Sequence, residues 1–121
     1  MKIYVCHSSS FNYEQELYGP IKRSELYTKH IFIFPHETAS NTLNSQKAIS
    51  TCDLVISECS YPSTGMGIEL GWANKDNKRI LCIYKKGSNI SKSLKTISGD
   101  FIEYTDAVDL IEKLNVFINK L

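Results

Sequence analysis

The chain has 121 residues and a formal net charge of +1; 42% of its residues are hydrophobic and 22% are charged. This is the length and composition of one folded domain, residues 1–121, rather than of a disordered or fibrous chain. The near-neutral charge gives no electrostatic reason to expect a nucleic-acid polymer or an anionic membrane as partner, and no stretch approaches the roughly 18 apolar residues of a membrane span. We therefore expect a cytoplasmic protein that acts on a small molecule.

Five short apolar runs are separated by segments with helical periodicity, which is the pattern of a parallel sheet covered by helices on both faces. In chain order the predicted strands are residues 3–6, 30–34, 54–57, 80–84 and 101–104. Short connections between parallel strands require right-handed crossovers. The simplest topology is therefore a single-domain, doubly wound α/β sheet, flavodoxin-like or Rossmann-like, in the order 2-1-3-4-5. Ligands of such sheets bind at the carboxyl ends of the strands.

Helices are expected to fill the gaps between these strands. In chain order they are a helix from about residue 12, a second over 41–50, a third from about residue 67, a short one over 91–97 and the last over 106–119. Gly19 and Pro20 predict a kink or an early break in the first helix, because proline lacks the N–H that a helix interior needs. Asp106 lies where the N-cap of the last helix belongs.

The four cysteines are widely spaced and form no C-x-x-C pair, whereas zinc sites bring paired ligands at short spacing. Most of them lie in apolar runs, where a free thiol behaves as a small hydrophobic group. We expect Cys6, Cys52, Cys59 and Cys82 to be reduced and structural, with no metal site.

The most informative polar segment follows the third predicted strand. Residues 58–67 are rich in hydroxyl groups, and Gly65 and Gly67 let the backbone approach a ligand where a helix amino terminus offers free N–H groups to an anion. The segment is neither a dinucleotide fingerprint nor a lysine-containing P-loop. It could instead hold a phosphate or a carboxylate at the carboxyl edge of the sheet.

Glu69 comes just after this segment, in the first turn of a helix that begins at Gly67. A glutamate there can simply stabilise the helix dipole. Two features favour a further role: glycines at 65, 67 and 71 clear space around its carboxylate, and Tyr4 on the first strand could place its hydroxyl beside it. A carboxylate held by a tyrosine O–H suits a covalent nucleophile toward an anomeric carbon with oxocarbenium character.

Other polar residues at this edge have simpler explanations. Glu58 could be a second acid, but we expect it to be a rim carboxylate that faces solvent. His7 and His36 are possible proton carriers, although loop histidines are commonly incidental. Loop serines can cap helices or close turns instead of binding a ligand, and this alternative applies to Ser8, Ser10 and Ser63.

Residues 52–73, with a Pro-Ser-x-Gly-x-Gly-x-Glu-Leu-Gly motif at 62–71 (Ser63 in the second position, then Thr64), resemble the signature of the nucleoside 2-deoxyribosyltransferase superfamily. Residues 3–6 and 79–84 extend the likeness across most of the chain. The motif is more similar to that of the 2'-deoxynucleoside 5'-phosphate N-hydrolases than to that of the base-exchanging transferases. In the transferases an acidic residue that recognises the base stands where this chain has Ser63.

The resemblance implies that Glu69 attacks the sugar C1' to form a glycosyl-enzyme intermediate, and that Tyr4 orients the carboxylate. It implies no metal and no organic cofactor. It also implies a homodimer with shared sites, because one phosphate ligand comes from the neighbouring subunit. The substrate-binding positions it implies are Ser8, Ser10, Ser45, Ser63, Gly65 and Gly67, with Ser93 contributed across the interface.

Two positions depart from the family pattern. The hydrolases carry an arginine for the phosphate where this chain has Ser10, and an aspartate that contacts the nucleoside where it has Ser45. Because Ser63 replaces the acidic residue of the transferases, the resemblance nevertheless implies hydrolysis of the N-glycosidic bond of a (2'-deoxy)nucleoside 5'-monophosphate. The alternatives are a nucleoside 2-deoxyribosyltransferase that exchanges bases, and a non-catalytic module that binds a nucleotide without turnover.

Overall fold

The computed structural model describes residues 1–37 and 44–121, and its strands form one parallel sheet. In chain order the strands are β1 (Lys2–His7), β2 (Ile31–Ile33), β3 (Leu54–Glu58), β4 (Arg79–Lys85) and β5 (Asp100–Tyr104). Their order across the sheet is β2-β1-β3-β4-β5, and all four neighbouring pairs are parallel. The predicted doubly wound α/β fold and its strand order are therefore confirmed.

The helical segments alternate with the strands. In chain order they are a π-helical turn (Glu14–Tyr18) that continues into α1 (Gly19–Lys22), then α2 (Glu25–Lys29), α3 (Ser45–Thr51), α4 (Thr64–Lys75), a 3₁₀ helix (Lys92–Thr96) and α5 (Ala107–Asn119). Asp106 caps α5 as predicted, because its side chain accepts a hydrogen bond of 2.8 Å from the N–H of Asp109. The short helix expected over 91–97 is the 3₁₀ helix, and Ser91 is its N-cap.

The first helix begins two residues later than expected and does not stop at Gly19 and Pro20. The N–H of Gly19 donates to the carbonyl of Glu14, five residues back, so the chain makes a wide π turn before the proline. Pro20 then occupies the first turn of α1, where a missing N–H breaks no hydrogen bond.

The helix expected over 41–50 corresponds to α3. Its N-cap is Asn44, whose side chain accepts a hydrogen bond of 3.1 Å from the N–H of Lys47. Residues 41–43 of the expected helix lie outside the described residues.

The expected start of α4 at Gly67 is wrong. The helix begins three residues earlier, at Thr64, because the Ser63 side chain accepts a hydrogen bond of 3.1 Å from the N–H of Met66 and so caps the first turn. Both glycines of the segment are thus inside the helix. Glu69 consequently lies in the second turn of α4, and not in the first.

Alternation along the strands sorts the core into two layers. Ile3 and Val5 on β1 pack with side chains of α1, α2 and α5, whereas Tyr4 and Cys6 pack with side chains of α3, α4 and the 3₁₀ helix. All four cysteines are buried free thiols, as predicted. In the part of the chain that the structure describes, no helix has both the length and the hydropathy needed to cross a membrane.

Candidate active site

Tyr4 and Glu69 meet between β1 and α4. The hydroxyl of Tyr4 donates a hydrogen bond to Oε2 of Glu69. Tyr4 is completely buried and Glu69 is half-buried. The contact follows from the alternation of β1, which turns Tyr4 toward α4, and from the early start of α4, which carries Glu69 back over the strand.

Burial controls the protonation of this pair. It raises the pKa of the Glu69 carboxyl above its ordinary value, and the hydrogen bond from Tyr4 opposes that rise. Burial and the hydrogen bond to Glu69 together raise the pKa of the Tyr4 phenol. Tyr4 therefore keeps its proton and acts as a donor, while Glu69 is a poorly hydrated carboxylate with one oxygen held in place.

Ser45 joins this pair from the first turn of α3. A hydrogen bond between its side chain and the Tyr4 hydroxyl lowers the pKa of Tyr4, against the effect of burial. The structure thus brings together three of the residues that the sequence singled out, from β1, α3 and α4.

Ser8 and Ser10 form a tight turn at the end of β1. Their hydroxyl oxygens are 2.8 Å apart, and the N–H of Ser10 donates to Oγ of Ser8 over 3.1 Å. Ser8 is buried and Ser10 is exposed. Ser8 and Ser10 therefore close a turn, which was the alternative to ligand binding for these serines. The side chain of Ser10 remains accessible at the edge of the sheet.

The two glycines of the α4 amino terminus present open backbone. A Cβ built on Gly65 or Gly67 would meet no neighbouring atom of the described residues within 4 Å, so packing among those residues does not require glycine at either position. At this first helical turn the N–H of Met66 donates to the Ser63 side chain and the N–H of Gly67 to the Ser63 carbonyl, each over 3.1 Å, whereas those of Thr64 and Gly65 have no partner among the described residues. This end of α4 is consequently open to approach from outside the chain.

Ser93 does not lie beside Glu69 within one chain. It is exposed on the 3₁₀ helix and lines a cavity of about 520 Å³ together with Ser63, Gly67 and Leu70 of α4. These α4 residues follow each other at i, i+4 and i+7, which is a different stripe of the helix from that of Glu69. The structure therefore separates Ser93 from the Tyr4–Glu69 pair.

His7 and Tyr18 form a buried pair that the sequence did not reveal as one. Nδ1 of His7 lies 2.7 Å from the carbonyl oxygen of Ser8, which can only accept, so Nδ1 carries the proton. Burial lowers the pKa of His7 to about 4, so the ring is neutral at pH 7 and its Nε2 accepts the hydrogen bond from the Tyr18 hydroxyl. Burial raises the pKa of Tyr18.

The expectation that Glu58 faces solvent is wrong. Glu58 ends β3 and is completely buried; its Oε2 accepts a hydrogen bond from the Tyr104 hydroxyl and its Oε1 accepts one from the N–H of Ser60. A buried carboxylate is tolerated because both oxygens have donors. Its partner is 46 residues away in sequence, so no local pattern in the sequence marked it.

No protein-family model and no curated protein sequence matches the chain. Solved structures do match it: the CMP N-glycosidase BcmB of Clostridium botulinum has a TM-score of 0.70 at 22% identity, over 95% of this chain and 99% of that one. A 2-deoxyribosyltransferase of Bacillus psychrosaccharolyticus has a TM-score of 0.66 at 21% identity, over 91% and 90% of the two chains. A conserved protein of Enterococcus faecalis V583 has a TM-score of 0.66 at 14% identity, over 97% and 98%.

Likeness at these identities shows a common fold. The first is a CMP N-glycosidase and the second a 2-deoxyribosyltransferase, so the resemblance predicted from the sequence is confirmed at the level of the fold.

Proposed function

We propose that this protein hydrolyses the N-glycosidic bond of a (2'-deoxy)nucleoside 5'-monophosphate, with Glu69 as the nucleophile, and releases free base and sugar 5-phosphate. The observation that carries the proposal is the hydrogen bond from the buried Tyr4 hydroxyl to the half-buried Glu69 carboxylate. Two structures that share the fold support it, since one is a CMP N-glycosidase and the other a 2-deoxyribosyltransferase. Both of those proteins act at the bond between a base and a sugar.

In the first step an oxygen of Glu69 bonds to C1' while the bond from C1' to the base nitrogen breaks, and the base leaves with the electron pair of that bond. The Tyr4 hydrogen bond engages Oε2 and leaves Oε1 free to attack. In the second step water attacks C1' and displaces the Glu69 carboxylate. One proton of that water stays on the new sugar hydroxyl and the other completes the released base, so no further reactant is needed.

Burial suits Glu69 to this role. A carboxylate with few water molecules around it loses less hydration when it bonds to carbon, and the raised pKa of Glu69 reports that partial dehydration. Tyr4 keeps the carboxylate in one orientation, so less orientational freedom is lost when Glu69 reaches the geometry for attack.

The substrate phosphate is assigned to the open amino terminus of α4 and to the turn after β1. At the first, the N–H groups of Thr64 and Gly65 and the helix dipole favour an anion. Ser63 and Gly67, which also line the cavity that contains Ser93, are assigned to the same phosphate. Ser8 and Ser10 lie at the second. Ser45 stands beside Tyr4 and is assigned to the sugar.

Ser93 is assigned to the site of a second copy of the chain. It is exposed and it lies apart from Glu69 within its own chain, so it serves catalysis only if it crosses an interface. A homodimer and a cytoplasmic location complete the proposal. Sedimentation of the purified protein tests the dimer, and a monomer at assay concentration contradicts it.

A specific observation favours a second candidate, base exchange. One structure of the same fold is a 2-deoxyribosyltransferase, in which a second base would take the place of water. The third candidate, nucleotide binding without turnover, follows from the two serines that replace the expected charged residues, Ser10 and Ser45.

One assay separates the three. The protein is incubated with ribo- and deoxyribonucleoside 5'-monophosphates, CMP and dCMP among them, with and without a second free base, and the products are separated by chromatography. Free base plus sugar 5-phosphate supports the proposal. Base exchange identifies a transferase, and nucleotide binding without products, seen as a rise in Tm, identifies a binding module.

A further inference from the structure

We propose that Lys85 is the cation that receives the 5'-phosphate of the substrate, and that Glu16 occupies its ammonium group until the phosphate displaces it. This inference rests on the function proposed above and names a specificity-determining residue for it. The family resemblance implies an arginine for the phosphate in the loop after β1, and this chain has Ser10 there.

Lys85 contacts residues next in sequence to the segments assigned to the phosphate: Ser60 and Tyr61 before the amino terminus of α4, and Phe11 after the turn of Ser8 and Ser10. It is the last residue of β4, and its main-chain N–H donates to Oγ of Ser60 over 2.8 Å. Its ammonium group donates to the hydroxyl of Tyr61 over 2.9 Å, in the loop after β3. The same group lies 5.7 Å from the ring centroid of Phe11, which directly follows Ser10 in the loop after β1.

Aromatic rings hold the ammonium group in place. The rings of Phe11 and Tyr61 stack with their centroids 4.6 Å apart and an interplanar angle of 13°, and the ammonium group lies 5.2 Å from the Tyr61 centroid. These contacts do not depend on Glu16, so they persist if its carboxylate leaves. The cation is therefore positioned before a ligand arrives.

Glu16 is a replaceable partner. It forms an ion pair with Lys85, and the two side chains are 40% and 31% exposed, so solvent and ligands reach both. Ion pairs this exposed are weak. A phosphate monoester carries up to two negative charges and three acceptor oxygens, so it competes well against one carboxylate for the ammonium group.

The surrounding charge makes the cation necessary. Glu16, Glu58 and Glu69 all lie at this edge of the sheet, and their carboxylates repel a phosphate. The ammonium group of Lys85 contacts Tyr61 in the loop after β3 and Phe11 in the loop after β1. No other ion pair of residues 1–37 and 44–121 has an ammonium group with contacts to both of these loops.

The two partners of the ion pair give opposite predictions. We expect Lys85→Met to raise KM for a nucleoside 5'-monophosphate about tenfold, the effect of one lost charge-assisted hydrogen bond. Glu16→Gln removes the competing carboxylate, so it lowers that KM. The inhibition constant of the matching nucleoside, which lacks the phosphate, stays within twofold in both variants. As a matched control, Lys29→Met and Glu25→Gln open an exposed ion pair of α2 and leave all these constants unchanged.

A purely structural ion pair behaves differently. The inference is overturned if KM changes in the same direction in Lys85→Met and Glu16→Gln. It is also overturned if KM for the nucleotide and the inhibition constant of the nucleoside change by the same factor. If the protein cleaves nucleotides and Lys85→Met has the KM of the wild type, this inference fails alone. If the wild type cleaves nucleosides and gains nothing from the phosphate, the proposed function fails as well.

Discussion

The hydroxyl of Tyr4 and the carboxylate of Glu69 are joined by a hydrogen bond across 65 residues of sequence. The bond ties the first strand of the sheet to the helix that follows the third. It also favours the charged form of Glu69 and the protonated form of Tyr4, although burial is the larger influence on both groups.

Replacing Glu69 by glutamine is expected to abolish turnover and preserve the fold. The amide cannot bond to C1', so steady-state rates should fall by several orders of magnitude. Because burial disfavours the charged form of this side chain, the neutral variant should unfold at the same Tm as the wild type or a higher one. Glu112→Gln, on the exposed face of α5, is the matched control and should change neither quantity. Residual activity near the wild-type rate would remove Glu69 from the mechanism.

Tyr4→Phe is expected to lower kcat about 10- to 100-fold, the range for one hydrogen bond to a charged group. The hydrogen bond lowers the pKa of Glu69, so its loss raises that pKa further. Glu69 attacks as a carboxylate, and the acidic limb of the pH–rate profile should therefore move to higher pH. Tyr27→Phe changes an exposed tyrosine of α2 and should leave the profile unaltered. An unshifted acidic limb in Tyr4→Phe contradicts the role given to this hydroxyl.

His7 should make folding stability depend on pH. Its pKa is about 4 in the folded protein and about 6.5 when unfolded, so the unfolded chain binds more protons between these values. The contribution of neutral His7 to folding stability is complete above pH 6.5 and is lost as the pH falls toward 4. Between pH 7 and pH 5 the free energy of unfolding should decrease by about 2 kcal/mol more in the wild type than in His7→Asn. Urea titrations at both pH values measure this difference. An equal decrease in the free energy of unfolding for the two proteins would refute it.

Tyr104→Phe is expected to destabilise the protein by about 1–3 kcal/mol, because it leaves one oxygen of the buried Glu58 carboxylate without its donor. Glu58→Gln together with Tyr104→Phe should be less destabilising than the sum of the two single changes, since the pair acts as a unit. Urea unfolding of the four proteins provides the double-mutant cycle. Additive effects would show that the two groups do not depend on each other.

The strands were predictable because each is a short apolar run whose neighbours are polar, and the sheet order followed from the short parallel connections. The start of α4 was not predictable from the sequence, because Gly65 and Gly67 suggested a loop. The Ser63 cap that begins the helix gives only a weak signal in the sequence. The Tyr4–Glu69 contact was predictable from the alternation of β1 and the motif around Glu69.

The remaining features of the site depend on distant partners. Glu58 was expected in solvent, since an acidic residue at the end of a strand usually faces it, and Tyr104 covers it from a strand two places further along the sequence. Tyr18 gave no signal either, because its orientation depends on the π turn before Gly19. Local sequence patterns predict the strands and which face of the sheet each side chain is on. They do not predict which buried side chains contact each other across the sheet.

That π turn has a geometrical consequence for the whole edge of the sheet. It inserts one extra residue between Glu14 and Gly19, and each residue of a helix rotates the next side chain by about 100°. A chain one residue shorter in this turn would form a regular α-helix and swing the Tyr18 phenol away from His7, which would expose the bare imidazole nitrogen to water. An irregularity of a single residue thus contributes to the burial of the imidazole at the end of the first strand.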